Sequence, residues 1–177
     1  MSQGTILQGE LTQRHSTLRN PRNDCAYHVY CSPYNTGAVN LIREARDYVR
    51  APIALTEKVE ELAQCERFLV YLTARTWTSG DSSSAFAHEV HLAMEAKVPL
   101  LLCHEMPGVG GQAERHGCPF EAFFTSPDGA TPQELLAMNI YSQIATPLKG
   151  GAWRGVSMVM VAQALAAPLA EQGGDAE

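Results

Sequence analysis

The chain has no stretch that concentrates Lys and Arg. Its 13 basic side chains stand against 19 acidic ones, for a formal net charge of -6 and a pI near 5.5. That balance excludes a polyanion-binding surface of the kind that holds nucleic acid or anionic membranes. No apolar run reaches membrane-spanning length, and Met1-Ser2-Gln3-Gly4 lacks the charged and apolar regions of a signal peptide. Both absences point to the cytoplasm. A disulfide framework is excluded as well: Cys25, Cys31, Cys65, Cys103 and Cys118 are odd in number and contain no Cys-x-x-Cys pair. They fit reduced, mostly buried thiols. What the chain does have is 45% hydrophobic residues over 177 positions, enough for one domain with a real core and cramped for two.

Residues 1–25 are polar, with little apolar periodicity and an interruption at Pro21, and this stretch is expected to be a linker or tail. Gln172-Gly173-Gly174-Asp175 makes 171–177 a second tail, which leaves 26–170 as the folded unit. Within it, Tyr27–Cys31 has the aromatic and β-branched character of a first strand. Thr36 is placed to cap a helix carrying Val39, Leu41, Ile42, Ala45 and Tyr48. After Pro52 comes a very short strand at 53–55, and Thr56 then restarts a helix with Val59, Leu62 and Cys65 on one side. Phe68–Thr73 is a continuous apolar run, expected of a central strand buried on both faces, and Val98–Cys103 is another. Between them lies a helix over Ser82–Lys97, with Asp81, Ser82 and Ser83 as cap candidates. A loop rich in Gly and Pro covers 106–119, Thr131-Pro132 starts a helix, 140–147 is expected as an edge strand, and 150–167 as a closing helix. Alternation of this kind predicts an α/β fold: a flavodoxin-like doubly wound parallel sheet of about five strands, with helices on both faces.

The residue that departs most from an ordinary helix pattern is Glu89. On a wheel of about 100° per residue, Phe86, Val90, Ala93, Met94, Leu92, Ala85 and Ala96 fill one sector, and His88, His91 and Glu95 mark the other side. Glu89 falls between Leu92 and Ala93, inside the apolar sector. An ionised carboxylate removed from water costs several kcal/mol or more unless compensated, so its retention there needs a reason. The helix leaves the central strand, and ligands in such sheets sit beyond the carboxyl ends of the strands where strand order reverses. The loops Ser32–Asn35, 74–84 and 104–111 would line that crevice. The plain alternative is a helix-edge Glu that snorkels to solvent or pairs with an Arg.

Other constellations fail on spacing. His88-Glu89-Val90-His91 has its histidines three apart, where a zinc-protease signature needs four, and both lie on the solvent side. Cys103, His104, His116 and Cys118 have no regular ligand spacing, so no metal site is assigned. Gly108-Val109-Gly110-Gly111 lacks the Gly-Lys-Ser/Thr ending of a phosphate loop. Nothing orders the six histidines against a serine in a catalytic relay.

The run from Cys65 through Phe68–Thr73, a loop with Trp77, and Ser83 followed six residues later by Glu89 resembles the core of Toll/interleukin receptor (TIR) domains. Tyr27–Pro33 is similar to the opening strand of that family, Leu100–Cys103 to a later one, and Pro147-Leu148-Lys149 with Trp153 to its last strand and helix, so the resemblance covers about 26–167. It departs from the pattern at Ala85 and Phe86, which replace a Trp-Cys pair, and in a short segment between Arg50 and Glu57 where the family carries a long assembly loop. The resemblance implies one of two activities. One is cleavage of NAD at the nicotinamide-ribose bond, with hydrolysis or cyclisation, in immune or stress signalling; Glu89 is then the catalytic residue and NAD the substrate, with no cofactor. The other is a non-catalytic module that assembles with itself or with other TIR-like domains.

A lone carboxylate suits the first activity. Nicotinamide is already a cationic leaving group, and the ribose develops oxocarbenium character that an aligned carboxylate stabilises. By location, Tyr34 or Trp77 would stack on a ring, while Ser32, Ser83 and Ser84 would bond ribose or phosphate, with helix-start N–H groups favouring the pyrophosphate. Packing for the aromatics and capping or turn duty for the serines are the competing roles. A nucleoside deoxyribosyltransferase relative, also an α/β fold with a helix Glu, is the third alternative. Its Asp-x-Gly-Thr-x-x-Glu pattern is absent, since Asp81 precedes Glu89 by eight residues.

Overall fold

The computed structural model describes residues 15–125 and 130–169. Five strands, β1 (Val29–Tyr30), β2 (Leu55–Thr56), β3 (Phe68–Leu72), β4 (Leu100–Glu105) and β5 (Thr146–Leu148), form a single sheet in the order β2-β1-β3-β4-β5, with every pairing parallel. The helices are α1 (Ala38–Ala45), α2 (Asp81–Glu95), α3 (Ala122–Thr125), α4 (Gln133–Ala137) and α5 (Arg154–Ala166). This is the expected flavodoxin-like α/β arrangement, with the reversal of strand order between β1 and β3. Among the described residues no helix is long and apolar enough to cross a membrane.

Strand alternation divides the core in two. Val29, Leu69, Tyr71, Leu101, Cys103 and Leu148 point to one face and pack with Leu41, Ile42, Met158 and Val161 of α1 and α5. Tyr30, Phe68, Val70, Leu72 and Leu102 point to the other and meet Phe86, Val90 and Ala93 of α2, with Phe123, Leu135 and Ile140. Because both faces are covered, β3 and β4 read as unbroken apolar runs instead of alternating ones. Each large side chain buried here contributes roughly 1.5–3 kcal/mol.

Helix starts differ from the sequence-based expectation in one consistent way. The residues before α1 and α2 are Gly37 (φ 89) and Gly80 (φ 57), not Thr36 or the Asp81-Ser82-Ser83 group. The Thr131 hydroxyl likewise leaves α4 to Pro132 and bonds Phe123 O and the Tyr141 hydroxyl. The Ser83 and Thr131 hydroxyls stitch loops together instead, and glycine supplies the positive φ before α1 and α2. Gly37 has a second reason to be glycine: a Cβ there would stand 2.9 Å from Tyr71 Cε1.

Three boundaries also move. Residues 15–25, expected as linker, belong to the body: Leu18 is buried in the core, and Ser16 N donates to Tyr48 O while Arg50 N donates to Ser16 O. Residues 1–14 and 170–177, including the 171–177 tail, lie outside the described residues. The helix expected after Thr56 is a 3-10 turn, Val59–Gln64, preceded by Thr56 Oγ1 accepting from Lys58 N and bonding Glu61. The edge strand is only three residues long, because Asn139 in a left-handed conformation (φ 59) turns Ile140 back into the core against α4.

Candidate functional site

Glu89 sits on the buried stripe of α2 with Ser83, Phe86, Val90 and Ala93. It is 6% exposed. Its Oε2 accepts a 2.9 Å hydrogen bond from the Tyr30 hydroxyl at the end of β1. Burial pushes the Tyr30 phenol well above its usual range; the hydrogen bond to Glu89 and the charge of Glu89 raise it further, and a hydrogen bond with Ser32 acts in the opposite direction. Tyr30 therefore stays protonated and donates. Among the described residues no Lys, Arg or His forms an ion pair with Glu89; Oε2 has one neutral donor, and Oε1, which is not among the buried atoms left without a partner, keeps the residue's small exposure.

The loops at this end of the sheet are held by side chains that imitate strand pairing. Asn35 Nδ2 donates to Tyr71 O and Asn35 Oδ1 accepts from Tyr71 N, both at 2.8 Å. This continues the contact between the first and third strands beyond their single paired position, Tyr30 with Phe68. After β3, Thr76 Oγ1 accepts from Thr73 N and donates to Tyr71 O, and Ser83 Oγ accepts from Ser79 N and donates to Thr76 O.

Three clefts open around these loops. A cavity of about 120 Å³ is lined by Ser32, Asn35, Thr36, Asn40 and Glu57. A second one of about 460 Å³ is lined by Trp77, Asp81, Ser83, Ser84 and Pro132. The third, about 250 Å³, lies between the β1–α1 loop, the end of β3 and the segment 114–116. Trp77, Ser83 and Ser84 thus share one cleft and Ser32 belongs to another. Tyr34 is exposed and lines none of the three. Trp77 is buried, with its ring stacked on Phe86 at 5.3 Å and its Nε1 donating to the Tyr141 hydroxyl, so much of its surface is committed to packing. Glu89 also lines none of these clefts; it is nearly buried, with Oε2 on the Tyr30 hydroxyl.

A second buried carboxylate, Glu105 at the end of β4, carries a much denser set of contacts. It is fully buried. Its Oε1 accepts from the Tyr71 hydroxyl and from Arg154 Nη1, both at 2.8 Å, and its Oε2 accepts from Gln112 Nε2 at 2.9 Å and from Arg154 Nη1 at 3.1 Å. Arg154 in turn makes a bidentate pair with Glu44 of α1, at 2.7 and 2.8 Å. Burial alone would lower the Arg154 pKa, but the hydrogen bonds and charges of Glu44 and Glu105 outweigh it and raise the value above its usual range. Strand parity, with Leu101 and Cys103 on the same face, places Glu105 inside the sheet; its cation comes from 49 residues away, which no local pattern in the sequence reveals.

Four of the five cysteines, and His104, are packed away. Burial pushes the thiols of Cys31, Cys65 and Cys103 up to about 12, far from the thiolate a nucleophile or metal ligand needs. His104 is buried between Phe120 and Phe123, with Nε2 on Cys118 O at 2.7 Å, and burial lowers its pKa. Among the described residues no group of three or more His, Cys, Asp or Glu side chains converges as a metal site would require. No protein-family model, curated protein or solved structure matches the chain.

Proposed function

We propose that the chain is a TIR-like NAD glycohydrolase in which Glu89 stabilises the ribosyl cation formed when nicotinamide leaves. The observation that carries this reading is the state of Glu89: a carboxylate 6% exposed, with one neutral hydrogen-bond donor and no cationic partner among the described residues. Keeping such a group costs stability, and chemistry that needs negative charge at that point explains the cost. Its place on the helix following the central strand of a β2-β1-β3-β4-β5 sheet agrees with the sequence resemblance.

In this mechanism the C–N bond to nicotinamide breaks with its electron pair passing to the pyridinium ring, which leaves neutral and needs no proton. The positive charge then shared by C1′ and the ring oxygen of the ribose faces the carboxylate, and water or an internal nucleophile completes the reaction. Tyr30 holds Oε2 in a fixed orientation, leaving Oε1 to meet the sugar. Ser32, whose Oγ accepts from Tyr34 N, lines the small cleft at the end of β1. Contact between Glu89 and a ribose requires the β1–α1 loop to open beside Ser32. Incubation of the purified protein with NAD, with chromatographic detection of nicotinamide and of linear and cyclic ADP-ribose, tests the proposal. Release in the wild type that falls at least a hundredfold in Glu89→Gln is the expected result, and equal release by both proteins rejects it.

A second reading, a non-catalytic TIR-like module that binds a nucleotide or another copy of such a domain, is favoured by the absence of Glu89 from the three clefts. It predicts no turnover at millimolar NAD, together with ligand-dependent stabilisation or self-association.

A further inference from the structure

The cleft of about 250 Å³ is at the switch point of the sheet, on the face away from Glu89. Its walls are the β1–α1 loop at Thr36 and Gly37, the β3 end at Tyr71 and Thr73, and Arg75, Glu114, Arg115 and His116 from the two loops that follow β3 and β4. These walls are fixed in place. Ala74 N donates to His116 O at 2.8 Å, joining the two loops, and the Asn35 side chain clamps the third wall to Tyr71. The space is smaller than the roughly 300–1,000 Å³ of sites that enclose drug-sized ligands, so a small ligand is selected.

The polar groups facing this space are unequally supplied. Arg154 is taken up by Glu44 and Glu105. Arg115 spends Nη1 on Gly110 O and Gln112 Oε1, which leaves Nε and Nη2 without a partner among the described residues. Arg75 is exposed, and its guanidinium has no hydrogen bond or ion pair among the described residues. Two carboxylates line the same space: Glu44, whose oxygens are both engaged by Arg154, and Glu114, exposed on the rim; set against them are the unpartnered guanidinium N–H groups of Arg75 and Arg115, with the His116 ring and the Thr36 hydroxyl beside them. In a chain with a net charge of -6, a switch-point cleft with an excess of unsatisfied guanidinium donors calls for an acceptor-rich anion. Planar N–H forks match phosphate oxygens in geometry as well as charge, and the Tyr71 ring supplies an apolar wall for the carbon skeleton.

We propose that this cleft binds a small phosphomonoester of about sugar-phosphate size, with Arg75 and Arg115 on the phosphate and Thr36 and Tyr71 along the remainder. The site is separate from Glu89 and does not depend on NAD cleavage. The test is calorimetric titration and thermal melting of the full chain with ribose 5-phosphate, with ribose and inorganic phosphate as probes at matched ionic strength. Saturable binding of ribose 5-phosphate, at least tenfold weaker in Arg75→Ala and partly restored in Arg75→Lys, is the expected result, with phosphate alone weaker and ribose silent. Glu114→Gln tightens binding by removing the carboxylate on the rim that no Arg engages. Arg75 is the position of choice because, exposed and unpartnered, its loss leaves the fold intact; Arg115→Lys, which keeps the charge but loses the fork, is expected to weaken binding severalfold. No saturable binding by the folded wild type overturns the proposal. So does binding that is unchanged in both Arg75→Ala and Arg115→Lys, or an effect that sodium chloride reproduces at the same ionic strength.

Discussion

Two buried carboxylates lie at the same end of one sheet, on opposite faces, and they are treated in opposite ways. Glu105, on the α1–α5 face, is fully buried and receives bonds from Tyr71, Gln112 and Arg154, the last of these itself held by Glu44. Glu89, on the α2 face, retains 6% exposure and receives one bond from Tyr30. The first has every sign of a structural junction that ties β4 to α1 and α5. The second has far fewer partners: one hydroxyl on Oε2, with the small remaining exposure at Oε1. Burial by itself does not mark a functional acid; the completeness of its partners does, because a fully satisfied carboxylate has no lone pair left to offer a substrate.

Breaking the Glu105 side is expected to give the largest effect. Glu105→Ala leaves Arg154 and the Tyr71 hydroxyl without their shared acceptor, and removal of one member of a buried pair costs about 3–5 kcal/mol. Denaturant titration of the variant is expected to show this loss. On the Glu89 side, Tyr30→Phe removes the one donor among the described residues and should cost about 1–3 kcal/mol. A double-mutant cycle with Glu89→Leu should recover most of that loss, since the unsatisfied acceptor disappears with it; purely additive losses would mean that the hydrogen bond is not what Tyr30 contributes.

Gly37→Ala sharpens the comparison from the backbone. It forces φ 89 on a residue with a Cβ and presses Tyr71, the donor to Glu105, for a cost of about 1–3 kcal/mol. The melting temperature should fall while the Tyr30–Glu89 coupling is unchanged.

The smallest effect concerns pH. Burial lowers the pKa of His104, so the folded state holds the ring neutral while the unfolded chain protonates near the ordinary value of about 6.5. The stability associated with neutral His104 is complete above that value. It is lost as pH falls through about 6.5 toward the lower folded pKa, because the unfolded state then binds more protons. Melting at pH 7.5 and pH 5 should show a smaller acid penalty in His104→Gln than in the wild type, and identical penalties would contradict this account of His104.

The sequence discloses these two regions unequally, for physical reasons. β3 and β4 are legible because a strand covered on both faces must be apolar throughout, and their length separates them from helix. The inward placement of Glu89 follows from a regular helix of 15 residues, long enough for its wheel to be unambiguous. Glu105 ends an apolar run, where a charged residue looks like the start of a loop; only the sheet reveals that its parity with Cys103 carries it inside. Arg154 and Glu44 are 110 residues apart, so their pairing has no local signature. Helix caps are less legible: the Ser83 and Thr131 hydroxyls bind loops, Thr36 stands one residue outside its helix, and Gly37, Gly80 and Pro132 precede α1, α2 and α4. The crevice was legible in outline from the α/β alternation, but its division into three clefts, and the exclusion of Glu89 from them, depends on side-chain packing between loops.

Glu89→Gln is the variant that tests the account most directly, with unfolding free energy and nicotinamide release from NAD measured on the same preparation. The account predicts stability equal to the wild type or higher by up to about 1 kcal/mol, because a neutral amide relieves a nearly buried charge that has no cationic partner among the described residues, together with the loss of NAD cleavage. A variant that loses several kcal/mol, as expected for Glu105, while cleaving NAD like the wild type would make Glu89 a structural residue and contradict the claim.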